Sequence, residues 1–213
     1  MEVAEKSVLE PSYEHSSKRK KMKQRIFDSA KKIVEKEGMS QLNVRKVAKL
    51  SECSLGSIYN AFENFGELQL YINADIISGL FLELNKVIEK GVAAKKPLRA
   101  IFKDLGFAYI EFGQKNLMLW KSVFEYFPEK EIPWWYKKRA QEGIYAICAK
   151  LALAFDLPEA EIKNKVGFYW TSIHGMSGIL LNKKMEMVSE LFNEDYLEQY
   201  IEYCLNGLFA PSR

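Results

Sequence analysis

Histidine is almost absent from this 213-residue chain: His15 and His174 are the only two, and His15 lies in a polar leading segment. Two distant imidazoles build neither a histidine metal cluster nor a histidine-assisted nucleophile. Cysteine is scarce as well. Cys53, Cys148 and Cys204 are odd in number and widely spaced, which fits reduced thiols in a cytoplasmic protein better than disulfides or a metal site. The chain has no Gly-rich phosphate loop, no Asp-rich metal motif and no Cys-x-x-Cys, so neither a metal, a cofactor nor an enzyme activity is expected. No run of 18 apolar residues occurs, which argues against a membrane span. The opening MEVAEKSVLEPSYEHSS lacks the basic start and apolar stretch of a secretory signal. With a net charge of −3 and Pro11, residues 1–17 are expected to form a disordered or loosely helical tail.

What the chain does have is apolar material, 48% of its residues, arranged at helical spacing. The most informative stretch is NVRKVAKLSECSLGSIYNAF, residues 43–62. Val44, Val47, Ala48, Cys53, Ile58 and Phe62 make two short stripes broken at Ser51-Glu52, which predicts helix, tight turn, helix. Asn43 and Ser54 stand where N-caps are needed. The outward positions of the second helix are then Ser54, Leu55, Ser57, Tyr59 and Asn60, side chains that suit phosphate oxygens and base edges. This pattern predicts a helix-turn-helix whose second helix enters a major groove.

Charge is concentrated just before it. Lys18 to Lys49 holds twelve Lys or Arg against Asp28, Glu35 and Glu37, a net of +9 in a chain whose total is only +3. A basic face confined to one end is the footprint of a polyanion-binding surface. The run Lys18, Arg19, Lys20, Lys21 and Lys23, immediately before the helix-turn-helix, is placed for phosphate or minor-groove contact.

At this point the sequence resembles a known family. KQRIFDSAKKIVEKEGMSQLNVRKVAKLSECSLGSIYNAF looks like the amino-terminal module of TetR-type transcriptional regulators. The likeness rests on a first helix ending at Gly38, a capped second helix, and Gly56, Tyr59 and Phe62 in a Gly-x-x-Tyr-x-x-Phe pattern. The resemblance implies that Arg45, Ser54, Leu55, Ser57, Tyr59 and Asn60 face DNA. The chain departs from the pattern at Glu52, where Gly is common, at Ala61, where His or Tyr is common, and at Phe65, where Lys is common. Two phosphate contacts of the family are therefore not expected here, and affinity leans on the basic arm before Arg25.

Beyond Phe65 no strand-like alternation persists, and Pro and Gly mark off helices. One runs from about Gly66 to Lys90, one from Pro97 through Glu111, and one from Asn116 to Phe127, stopped by Pro128. Another starts at Pro133 and runs near Phe155, Pro158 opens a long segment, and Asn193 caps the last, ending about Leu208. The expected fold is all-α with about nine helices: tail 1–17, a helix-turn-helix domain 18–65, and a helical ligand-binding and dimerisation domain 66–213.

Aromatic density peaks between Tyr109 and Trp170, including Phe112, Trp120, Phe124, Tyr126, Phe127, Trp134, Trp135 and Tyr169. Most such rings are core, but so many in a helical bundle suit a crevice for a hydrophobic or aromatic ligand. WTSIHGMSG resembles the Trp-x-x-x-His-Gly pattern in the ligand-binding half of one branch of the same family, here Trp170, His174 and Gly175. The last two helices look like the pair that the family packs into a four-helix dimer interface. The expected protein is thus a homodimeric repressor that binds a palindromic double-stranded DNA operator and is released by a small apolar or aromatic effector. The alternative is an all-helical small-molecule-binding protein or enzyme whose basic end serves another anionic partner.

Overall fold

The computed structural model describes residues 17–125, 131–184, 187 and 195–210. Residues 1–16 of the expected tail, Tyr126, Phe127, Pro128 and Asn193 lie outside the described residues, while Ser17 opens the first helix. Among the described residues there are nine α-helices and no strand. They are α1 Ser17–Glu37, α2 Val44–Leu50, α3 Leu55–Ala61, α4 Phe65–Ala93, α5 Leu98–Lys115, α6 Leu117–Phe124, α7 Trp134–Phe155, α8 Glu159–Leu181 and α9 Tyr196–Leu208. A 3-10 turn, Met39–Gln41, follows α1. None of the described helices is long and apolar enough to cross a membrane.

The punctuation read from the sequence explains most boundaries. α1 stops because Gly38 adopts φ 86, a left-handed conformation that costs glycine little, while its amide still bonds the Val34 carbonyl at 2.9 Å. Pro97 and Pro158 occupy the N-cap positions of α5 and α8, where the missing N–H of proline removes no helical bond. At the start of α4, Asn64 Oδ1 accepts from the Glu67 amide at 2.9 Å and the Glu67 carboxylate accepts from the Glu63 amide, so two backbone N–H groups at this end are satisfied by side chains. The third predicted helix beyond Phe65 was expected to reach Phe127; α6 ends earlier, at Phe124.

The chain divides into two compact units. The first comprises the chain to Ser78 together with residues 118–140. In it α1 packs on α2 and α3, burying Ile26, Ala30, Ile33 and Val34 from one stripe of α1 with Val47 of α2, Ile58 of α3 and Phe62. The second comprises residues 79–117 and 141–213. Its α5 packs on α8 and α9 around Ile101, Phe102, Ile110, Ile162, Ile173, Ile201 and Leu205. Two glycines permit close approach there: a Cβ on Gly106 would lie 2.3 Å from the Tyr169 hydroxyl oxygen, and one on Gly91 would lie 2.7 Å from Ile101.

Candidate nucleic-acid interface

The two caps form as the sequence predicts. Asn43 Oδ1 accepts from the Lys46 amide at 3.0 Å, and Ser54 Oγ accepts from the Ser57 amide at 3.1 Å, each satisfying an amide that its helix leaves free. The turn between α2 and α3 is closed by the Cys53 amide bonding the Ala48 carbonyl at 3.0 Å. Ser51, fully buried, donates its hydroxyl to the Val47 carbonyl at 2.6 Å. Glu52, in that turn, takes φ 50 and so sits in the left-handed region.

Ile58 is the one buried residue within α3. Around it Ser54, Leu55, Tyr59 and Asn60 are exposed and Ser57 is half-buried; Tyr59 is 54% exposed. Arg45 on α2 is exposed as well. Capping thus aims α3 and leaves its polar side uncovered within this unit.

The basic run lies inside α1, and the structure sorts it into two groups. Lys18, Lys20 and Lys21 are exposed and have no hydrogen bond or ion pair among the described residues. Arg19 instead donates from Nη2 to the Asn60 carbonyl at 3.0 Å, and Arg25 donates from Nη2 to the Glu52 carbonyl at 3.3 Å. Lys23 seats its ammonium 4.7 Å from the Phe62 ring centre and 4.9 Å from that of Tyr71, a cation–π arrangement. Burial lowers the Lys23 pKa, with Glu67 opposing and Arg19 reinforcing the shift. An open groove of about 560 Å³ is lined by Lys18, Arg19 and Met22 of α1 and Ser57, Asn60 and Ala61 of α3. Arg25 was not among the sequence candidates. No spacing within KRKKMKQR points to it; its partner carbonyl lies 27 residues away in sequence.

Solved structures of similar fold exist at low sequence identity. One is a regulatory protein at 17% identity and TM-score 0.65, covering 93% of this chain and 100% of that one. A second is a TetR-family transcription regulator from Marinobacter aquaeolei VT8, at 16% identity and TM-score 0.56, covering 90% and 97%. A third is the multidrug binding protein EbrR in complex with imidazole, at 18% identity and TM-score 0.54, covering 90% and 96%. The fold is that of TetR-type regulators. No protein-family profile matches the sequence, and no curated protein does.

Within this TetR-type fold the aromatic candidates fall in both units. In the first unit Trp120 is 2% exposed and tilts against Phe124 with ring centres 5.1 Å apart. Trp135 stacks on Tyr71 at 4.7 Å, whereas Trp134 is 71% exposed with Lys138 over its ring. In the second unit the Tyr109 hydroxyl lies 2.7 Å from His174 Nδ1, and Trp170 stacks on the same imidazole at 5.4 Å. Burial lowers the His174 pKa. Tyr169 is buried, its hydroxyl has no hydrogen-bond partner among the described residues, and burial pushes its pKa upward. Phe112 on α5 is half-buried. Among the described residues no group of three or more His, Cys, Asp or Glu is placed to hold a metal.

Proposed function

We propose that the chain is a DNA-binding transcriptional regulator acting as a homodimer on a palindromic operator. One observation carries this reading: a doubly capped α2–α3 pair whose uncovered face, Ser54, Leu55, Tyr59 and Asn60, stands beside a groove edged by Lys18. Hydroxyl and amide groups read base edges, and exposed ammonium groups neutralise phosphates. The fold shared with a TetR-family regulator supports it. Residues 18–65 are the DNA reader and the remaining helices the ligand-sensing and dimerising part.

The second copy packs on α8 and α9, whose exposed Phe168, Ile179 and Tyr203 would otherwise remain in water. Gly175 and Gly178, each with open space where a Cβ would stand, permit close approach of the partner helices. A small apolar or aromatic effector binds in the helical part that follows the reader, and the second unit alone offers Tyr109, Phe112, Tyr169, Trp170 and His174 as its aromatic contacts. It favours a state in which the two α3 helices are mis-spaced for successive major grooves. A coupling of about 1 to 3 kcal/mol is sufficient. Repression follows because the bound dimer occludes a promoter. The protein works in the cytoplasm and is not an enzyme.

The test is retention on a selected duplex at moderate salt. Preference for one sequence over a scrambled duplex supports the reading; equal retention of any polyanion favours the alternative of a binding protein with a basic end.

A further inference from the structure

α3 has only seven residues and buries one of them, Ile58. Helices this short draw their stability from tertiary contacts rather than from propensity, and a single buried anchor leaves rotation about the contact poorly fixed. α2 packs on α3 and the turn bond from the Cys53 amide to the Ala48 carbonyl ties the two together; the side-chain ties come from α1. Arg25 bonds the Glu52 carbonyl in the turn that leads into α3, and Arg19 bonds the Asn60 carbonyl in its last turn. Lys23 sits on the ring of Phe62, the residue that caps α3. A cation on a terminal carbonyl also opposes the negative end of the helix dipole.

We propose that Arg19 and Arg25 are positioning residues that fasten both ends of the reading helix to α1. The phosphate-binding charge of α1 then resides in Lys18, Lys20 and Lys21. This deepens the DNA-binding reading and rests on it. The division is unequal in kind. Removing one of these exposed lysines deletes a counterion-releasing contact, which lowers affinity for every duplex alike and flattens the salt dependence. Removing Arg19 or Arg25 leaves phosphate neutralisation intact but lets α3 drift from the base edges it reads, which erodes discrimination instead.

Adjacent isosteric variants separate the two roles. Arg19→Met and Lys20→Met each delete one charge from neighbouring positions. Without DNA, amide exchange in residues 55–62 should quicken by about tenfold in the Arg19→Met, Arg25→Met double variant, with exchange in α1 unchanged, and stay at the parental rate in Lys20→Met. With DNA, the double variant should lose about tenfold in the ratio of selected to scrambled duplex, a loss on the scale of one base contact, at the parental salt slope. Lys20→Met should keep the ratio and lose about 0.9 from the slope. Parental exchange in the double variant, or a slope that flattens with an unchanged ratio in Arg19→Met, overturns the positioning role. A parent chain that prefers no duplex sequence would sink the DNA-binding reading itself, while the exchange experiment would still judge the two ties.

Discussion

The Tyr109 hydroxyl on α5 and Nδ1 of His174 on α8 are 2.7 Å apart, joining two helices 65 residues distant in sequence through one polar contact. Burial lowers the His174 pKa below its ordinary 6.5. The folded chain therefore binds fewer protons than the unfolded chain between that ordinary value and the lower folded one. Stability is unaffected above this window and falls as pH drops through it. Unfolding free energy followed from about pH 7.5 to 5 should decline in the parent and decline less in His174→Gln. Identical profiles would assign the decline to other groups.

A second expectation concerns Gly106 and Tyr169. An added Cβ at Gly106 would stand 2.3 Å from the Tyr169 hydroxyl oxygen and 3.2 Å from the ring carbon bearing it. Gly106→Ala should cost about 1 to 3 kcal/mol in urea unfolding through overpacking. Tyr169→Phe removes a buried hydroxyl that has no hydrogen-bond partner among the described residues and should be close to neutral. Combining the two should recover much of the loss; strict additivity would contradict the close approach.

The turn residue Glu52 offers a third. At φ 50 a side chain other than glycine or asparagine is strained. Glu52→Gly should raise stability by about 1 kcal/mol, the left-handed penalty less the entropy of glycine. If the turn lies near phosphates, the same change should also tighten duplex binding. Stability lower than the parent's would show that Glu52 makes a compensating contact.

The tryptophans give a fourth. Trp120→Ala should cost about 3 to 5 kcal/mol because the indole is buried, while Trp134→Ala should change stability by less than about 0.5 kcal/mol. An aromatic effector that shifts Trp fluorescence should change operator affinity by the same factor that operator changes effector affinity. Binding without such coupling would leave a pocket and remove its regulatory role.

The sequence made local chemistry legible. Asn43 and Ser54 were readable as caps, since a cap acts on amides within one turn, and Gly38, Pro97 and Pro158 mark boundaries through their own backbones. The exposed face of α3 followed from the spacing of Ile58 and Phe62. Contacts across the chain were not legible. Arg19 reaches a carbonyl 41 residues away and Arg25 one 27 residues away, and nothing in KRKKMKQR separates those two from the solvent-facing lysines until α1 has docked. Trp120 and Trp134 likewise look alike in sequence; the rotation of α6 and α7, set by packing, makes one core and the other surface.

The most direct test of the DNA-binding account is selection of duplexes from a random pool by the full chain at moderate salt, repeated with Tyr59→Ala. The account predicts that the parent enriches a site with two symmetry-related halves about 34 to 36 Å apart, one helical turn centre to centre, and that Tyr59→Ala loses affinity for it. A pool that stays random with the parent, or a site bound equally well by Tyr59→Ala, would contradict the reading of α3 as the element that meets DNA.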